Sequence, residues 1–267
     1  RHFLGKENFM LLNCDLGESY GSWTMGQDAK AMPHIDQANI ACGFHAGDPL
    51  VMQHTLALAK QHHVMVGAHP AYPDLVCFGR RSMSCSAQEI VAFMHYQIAA
   101  IEGMAACQGL TLSYVKPHGA LYNDMMSKAP VRQAIMQAVS SYPARSLVSG
   151  KASPPLKLML QANAFADEHL KQAQDLQLEL YFEAFADRCY EDDGSLMARA
   201  KPGAVLDHDA MLKQVQQLTQ QGTITSASGA TLHLKVDSLC VHGDNDTGIA
   251  AINSIRQLME NPSTQKA

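Results

Sequence analysis

The sequence predicts an α/β protein built as a closed or nearly closed parallel barrel of seven β/α units. Seven short apolar runs alternate with amphipathic helical patterns along 267 residues, which implies right-handed βαβ units around a parallel sheet. Five of the runs stop abruptly on histidines, carboxylates and small residues, the way a parallel barrel assembles a site at one rim. An open nucleotide-binding sheet would carry GxGxxG or GxxxxGK[ST] instead, and neither motif is present. Any ATP chemistry here has to proceed without those phosphate cradles.

The first run, 10–15, leads into Asn13-Cys14-Asp15-Leu16-Gly17-Glu18, and the second, 37–42, passes Asn39 and ends near His45. Asp48-Pro49 then reads as an N-cap followed by proline at the first helical position, with Met52, Leu56 and Ala59 on one face. The third run, 64–68, reaches His69 and opens into a loop that holds Tyr72, Asp74, Arg80 and Arg81. Ser86-Ala87-Gln88-Glu89 reads as a capping box, with Ile90, Phe93, Met94, Ile98 and Ile101 on one stripe behind it.

The fourth run, 112–116, ends in Lys116-Pro117-His118-Gly119. Next come a helix near 130–140, a Ser- and Pro-rich loop over 140–155, a fifth run at 156–160 and a helix at 163–174. A sixth run at 178–183, a helix at 207–221 ending on Gly222, and a seventh run at 238–242 follow. The last leads into Val241-His242-Gly243-Asp244 and a helix at 246–260 with Asp246 as its cap. Residues 10–267 are expected to form a single domain. Residues 1–9 have no signal-peptide core and no initiator Met, and are expected to be disordered or a trimmed end.

Hydrophobic content of 47% is ample for a large core, and a net charge of −5 leaves no basic footprint for nucleic acid or an anionic membrane. No stretch approaches the roughly 18 apolar residues that span a bilayer. The seven cysteines show no CxxC pair or regular spacing, so neither a disulfide framework nor a thiolate zinc site is expected. A reducing, cytoplasmic setting follows.

The candidate chemistry sits at the run ends. Asp15 and Glu18 can bind a cation or divide into a charged carboxylate and a general acid; satisfying a turn is the other reading. His45, His69, His118 and His242 follow four different runs. Neutral imidazole both ligates metals and suits acid–base work near neutral pH. An Asp with two His is a sufficient set for a divalent ion, although no HExxH spacing is present. Lys116 can meet a substrate anion or developing oxyanion, or pair with a neighbouring carboxylate. Arg80-Arg81 can clamp an anion. Asn13, Asn39, Tyr72, Asn123, Glu183, Asp187 and Arg188 are candidates for orienting a substrate. No Ser lies in GxSxG and no Cys is marked as a nucleophile.

At Asn13–Glu18, Asn39–Asp48, Gly67–Asp74, Phe78–Arg81, Val115–Asn123, Glu183–Tyr190 and Cys240–Asn245 the chain resembles the lactam-utilisation protein family, identified with the A component of 5-oxoprolinase. The resemblance implies an irregular seven-stranded β/α (TIM-like) barrel of the glycoside hydrolase/deacetylase type. It also implies opening of 5-oxo-L-proline to L-glutamate with ATP as co-substrate, in a complex with the B and C subunits of 5-oxoprolinase; a homo-oligomer is equally open. Related deacetylase barrels hold a divalent metal on one Asp and two His, which by position are Asp15, His69 and His118. Catalytic roles are expected for Asp15, Glu18, His45, Lys116 and His242. Two alternatives remain: a stand-alone metal-dependent amidase or carbohydrate deacetylase, and a non-catalytic substrate-binding subunit. The chain departs from the family pattern at Ala71 and at Leu160-Gln161-Ala162-Asn163, so no site residue is assigned on the fifth run.

Overall fold

The computed structural model describes residues 10–143, 154–241 and 246–260. Its strands are β1 (Leu11–Leu16), β2 (Gln37–Ala41), β3 (Met65–His69), β4 (Leu112–Val115), β5 (Lys157–Gln161), β6 (Leu180–Phe185), β7 (Thr223–Thr225), β8 (Thr231–His233) and β9 (Ser238–Cys240). Its helices are α1 (Asp28–Ala31), α2 (Pro49–His62), α3 (Ala87–Ala106), α4 (Gly119–Ser127), α5 (Ala129–Ser140), α6 (Ala166–Gln174), α7 (His208–Gln221) and α8 (Asp246–Glu260).

The seven runs expected from the sequence are the seven strands of a closed barrel, β1-β2-β3-β4-β5-β6-β9. Every neighbouring pair is parallel, and β9 closes the ring by pairing with both β6 and β1. The expected helix starts form as read. Asp48 accepts from the backbone N–H groups of Leu50 and Val51, and Ser86 and Glu89 complete both halves of the capping box. Helix α7 ends on Gly222 in the left-handed region.

Three elements were not expected, the first being the single-turn helix α1. Helix α4 starts directly after His118, whose side chain makes no capping hydrogen bond. The β7–β8 hairpin has strands of three residues, too short for alternation to show. The expected loop over 140–155 lies outside the described residues for 144–153, and His242, Asp244 and the side chain of Asp246 lie outside them as well.

One face of each strand packs Leu12, Cys14, Leu16, Ala38, Ile40, Val66, Ala68, Leu158 and Leu160 into the buried apolar layer shared with the helices. The other face points into the barrel, and there the filling is polar. Asn13 donates to Ser238 Oγ at 2.7 Å, and Ser238 donates to Gln37 Oε1 at 2.7 Å. Asn39 donates to Asn13 Oδ1 and Asp15 Oδ1, each at 2.8 Å, while Tyr114 donates to Asn39 Oδ1 at 2.7 Å. A buried polar network holds only when its members are satisfied, and this one forms a platform directly beneath the rim. Gly67 is part of it: a Cβ there would overlap the Tyr114 ring from the next strand.

No described helix is long and apolar enough to cross a membrane. All seven cysteines are unpaired.

A charged cluster at the carboxyl rim of the barrel

The interior parity of the strands builds the cluster. Two residues above Asn13, Gln37, Gly67, Tyr114, Tyr181 and Ser238 stand Asp15, Asn39, His69, Lys116, Glu183 and Cys240, brought round one rim by the parallel register. Lys116 is the hub. Its Nζ lies 2.9 Å from Asp15 Oδ1, 3.0 Å from Glu183 Oε2 and 3.3 Å from Cys240 Sγ. Burial works against the ammonium, but the flanking Asp15, Cys240 and Glu183 outweigh it and hold its pKa well above the ordinary lysine value. Lys116 is 3% exposed and Glu183 0%. The pair is therefore a fixed, desolvated charge set and not a surface contact.

Three imidazoles stand beside this hub. His69 presents Nδ1 to the carbonyl of Lys116 at 2.7 Å, and His118 presents Nε2 to the carbonyl of Phe78 at 2.9 Å. A carbonyl only accepts, so those two ring nitrogens bear the protons. The remaining nitrogens, His69 Nε2 and His118 Nδ1, then face each other as lone pairs 3.0 Å apart. Asp15 Oδ2 is 3.5 Å from the first and Glu18 Oε1 3.4 Å from the second. Two lone pairs flanked by two carboxylates call for a positive charge among them, either a shared proton or a metal ion.

His45 stacks flat on His118, with centroids 3.7 Å apart, and its Nε2 is 3.3 Å from Glu18 Oε1. Its Nδ1 is buried without a hydrogen-bond partner. Burial pushes His45 well below the ordinary histidine range, and the neighbouring His69 adds to this. Burial does the same to His118, with His45 and His69 adding to it. Both rings are therefore held neutral, the form that ligates. Potential donor atoms of Glu18, His45, His69 and His118 all lie within 4.8 Å of one another. Of the set that the resemblance implies, His69 and His118 are in this group and Asp15 is not; Glu18 and His45 complete it.

The packing that fixes these rings comes from a loop. Gly79 lies against them, and a Cβ there would sit 2.9 Å from His45 Cβ and 3.0 Å from His118 Cδ2. Its carbonyl accepts from Ala120 N at the start of α4, while Phe78 covers His45 and His118 edge-on. Asp74 anchors the loop by accepting from Cys77 N and from the Arg81 guanidinium.

A cavity of about 220 Å³ opens above the cluster, lined by Asp15, Glu18, His69, Lys116 and His118 and by Arg80, Asn123 and Arg188. Six other candidates do not line it, among them His45, which lies behind His118. Tyr72 is fully buried and donates to Asp124 at 3.0 Å, so its hydroxyl is spent on α4 and not on a ligand. Asn13, one layer down, and Asn39 and Glu183, level with Asp15 and Lys116, are fully buried and orient those two groups. Asp187 stands beside Arg188, not on the cavity wall. The Arg80-Arg81 clamp is corrected too. Arg81 is committed to Asp74, and Arg80 lies over the Phe78 ring at 5.2 Å. His242 falls outside the described residues.

The sequence reading missed Tyr114, Cys240, Phe78 and Arg199. The first two share interior parity with Lys116 and the seventh-strand polar residues, so counting in twos would have found them. Phe78 acts through its carbonyl, which no side-chain pattern reveals. Arg199 reaches the cavity from a loop remote in sequence from every strand end.

The profile of the LamB/YcsF family matches residues 10–267. The 5-oxoprolinase A component of Pseudomonas fluorescens (strain Pf0-1) is 50% identical over 255 residues, covering 95% of this chain and 98% of that protein. The corresponding 5-oxoprolinase component of Vibrio parahaemolyticus is 48% identical over 249 residues, covering 93% and 94%. Among solved structures, the lactam utilization protein from Thermus thermophilus superposes with a TM-score of 0.84 at 33% identity, covering 94% of this chain and 96% of that one.

Proposed function

The chain belongs to the LamB/YcsF family, and from that premise we propose that it is the lactam-opening component of an ATP-dependent 5-oxoprolinase. It would act with the B and C subunits in the cytoplasm, a compartment its unpaired cysteines suit. The observation that carries the reading is the Lys116 hub. A buried ammonium between Asp15 and Glu183 sits beside imidazoles held neutral, in a cavity of about 220 Å³ that admits a small ring.

The amide of a five-membered lactam is poorly electrophilic, and ATP supplies the activation. Transfer of the γ-phosphoryl group to the ring carbonyl oxygen releases ADP and leaves an imidate at C5. Water then adds to C5, deprotonated by Asp15, Glu18 or a neutral imidazole. As the C5–N bond breaks, the nitrogen takes a proton and its electron pair, leaving the amine of glutamate and an acyl phosphate. A second water hydrolyses the acyl phosphate to carboxylate and inorganic phosphate. Lys116 is placed to stabilise negative charge on the oxygen at C5, and the polar platform below keeps it from moving. His242 keeps an expected acid–base role.

The donor set of Glu18, His45, His69 and His118, with Asp15 beside it, fits a divalent cation. Bound there, such an ion would supply Lewis-acid polarisation of a carbonyl or an acidified water.

The test is release of phosphate and glutamate, dependent on 5-oxoproline, by this chain with and without the B and C subunits. Turnover only in the assembled mixture, abolished by Asp15→Ala, is expected. Undiminished turnover of the Asp15→Ala complex removes the catalytic role and leaves a binding component. Lactam-independent amidase activity that a chelator stops would favour the deacetylase-like alternative.

A further inference from the structure

The cavity is electrically divided. Its floor is the carboxylate-rich rim cluster, whereas guanidinium groups of Arg188 and Arg199 stand on the wall contributed by the segment after β6. Arg188 is 7% exposed. It is held by donating from Nη2 to the carbonyl of Met197 at 2.6 Å and from Nε to the carbonyl of Ala204 at 3.3 Å. Those carbonyls orient the fork without neutralising it. Burial pulls its pKa down and the Arg199 charge adds to this, against a smaller upward pull from Asp187. Among the described residues, neither Arg188 nor Arg199 forms an ion pair with a carboxylate.

Arg188 is a nearly buried charge without an ion-pair partner, which is costly, and the exposed Arg199 adds like-charge repulsion from the cavity mouth. An anion entering the cavity would relieve both effects. Arginine forks suit planar, two-oxygen acceptors. We infer that Arg188 and Arg199 form a carboxylate subsite that selects lactams bearing an anionic group over neutral lactams. This rests on the lactam reading of the cavity, which it deepens: the ring carbonyl would face Lys116 while the carboxylate on the far side of the ring meets the two arginines. Arg188 and Arg199 would then govern binding, while Asp15 and Lys116 govern turnover. Phosphate shares the same chemistry, and the experiment separates the two sources.

Binding of 5-oxo-L-proline, its neutral carboxamide and inorganic phosphate is measured calorimetrically on the full chain and on its complex, for wild type and Arg199→Gln. Arg199 is exposed at the cavity mouth, so its replacement leaves the fold intact; Arg188→Lys is the second variant, preserving charge but not the fork. The expected result is a 10- to 100-fold weaker affinity for 5-oxoproline in Arg199→Gln, with the carboxamide bound equally by both proteins. The same loss for phosphate, with no lactam bound by wild type, keeps the anion subsite and removes the lactam reading. Unchanged affinities in both variants, or equal weakening of acid and carboxamide, overturn the subsite, as does wild-type protein that binds none of the three.

Discussion

The two halves of the barrel rim are built on different terms. From β1 to β4, the strand ends and the loops after them supply Asp15, Glu18, His45, His69, Lys116 and His118, which touch one another in one continuous network. From β5 to β9 the polar side chains that reach that network are Glu183 and Cys240, with the Phe185 ring 5.6 Å from Lys116 Nζ. The end of β5 does something else: Gln161 donates to the Gly194 carbonyl at 3.1 Å, and Asn163 accepts from Phe165 N. It ties down the long segment after β6, which the Ala227 N–H also fastens through the Tyr190 carbonyl. One half thus fixes reactive groups, and the other positions a loop that carries arginines.

The comparison breaks most readily at Lys116. Lys116→Met leaves Asp15 and Glu183 without the ammonium between them, and removing one partner of a buried pair costs about 3–5 kcal/mol. The expected outcome is a large drop in the urea midpoint with turnover reduced at least ~100-fold. Lys116→Met combined with Glu183→Gln removes the buried charge and should recover much of the stability but none of the turnover. Recovery of both would mean that Lys116 serves only the fold.

Gly67→Ala is the next strongest test. The added methyl must displace the Tyr114 ring, and overpacking of this kind costs about 1–3 kcal/mol. Tyr114 holds Asn39, and Asn39 holds Asp15. Turnover should fall together with the melting temperature, although residue 67 touches no ligand. Unaltered turnover in a destabilised protein would show that the polar platform is not needed to position Asp15.

Much of this was legible in the sequence because strand ends announce themselves. Asp15, His69, Lys116 and His118 follow apolar runs directly, and backbone connectivity alone places such residues on one rim. What the sequence could not show was depth. Asn13, Asn39 and Glu183 are the same residue types in the same runs, yet they are fully buried and off the cavity wall, because the barrel interior is itself polar and periodicity does not say which inward residue reaches the opening. Tyr72 and Arg81 were misread for another reason. Their partners, Asp124 and Asp74, depend on how the loop after β3 folds back, and α4 has no clear start signal. Arg199 comes from a loop set by β5, a contact with no local signature.

A gentler change sharpens the role of the second half. Gln161→Leu removes the donor to the Gly194 carbonyl and leaves that acceptor unmet, at a cost of about 1–2 kcal/mol. The segment carrying Arg188 and Arg199 is loosened while the rim cluster is untouched. KM for 5-oxoproline should rise several-fold with kcat near the wild-type value, read from steady-state kinetics of the complex. A fall in kcat with constant KM would place β5 in the reacting half and undo the division.

The smallest effect serves as the reference for the others. Ser86 opens α3 by accepting from Glu89 N, with the Glu89 carboxylate returning to the Ser86 N–H. This helix packs on α5 at the outer wall, and it meets the rim loops through Phe93, Tyr96 and Gln97 further along, not through its Ser86 cap. Ser86→Ala forfeits one cap, at about 1 kcal/mol, which for a chain of this size lowers Tm by roughly 2–4 °C. Neither kcat nor KM should move, because the loss is confined to a helix end that carries no rim contact. Stability can then be lowered without touching chemistry, so the coupled losses at Lys116 and Gly67 have to come from the rim itself. If Ser86→Ala changed the kinetics as well, marginal stability alone would be setting the turnover, and the contrast between the halves would have to be measured again at matched Tm.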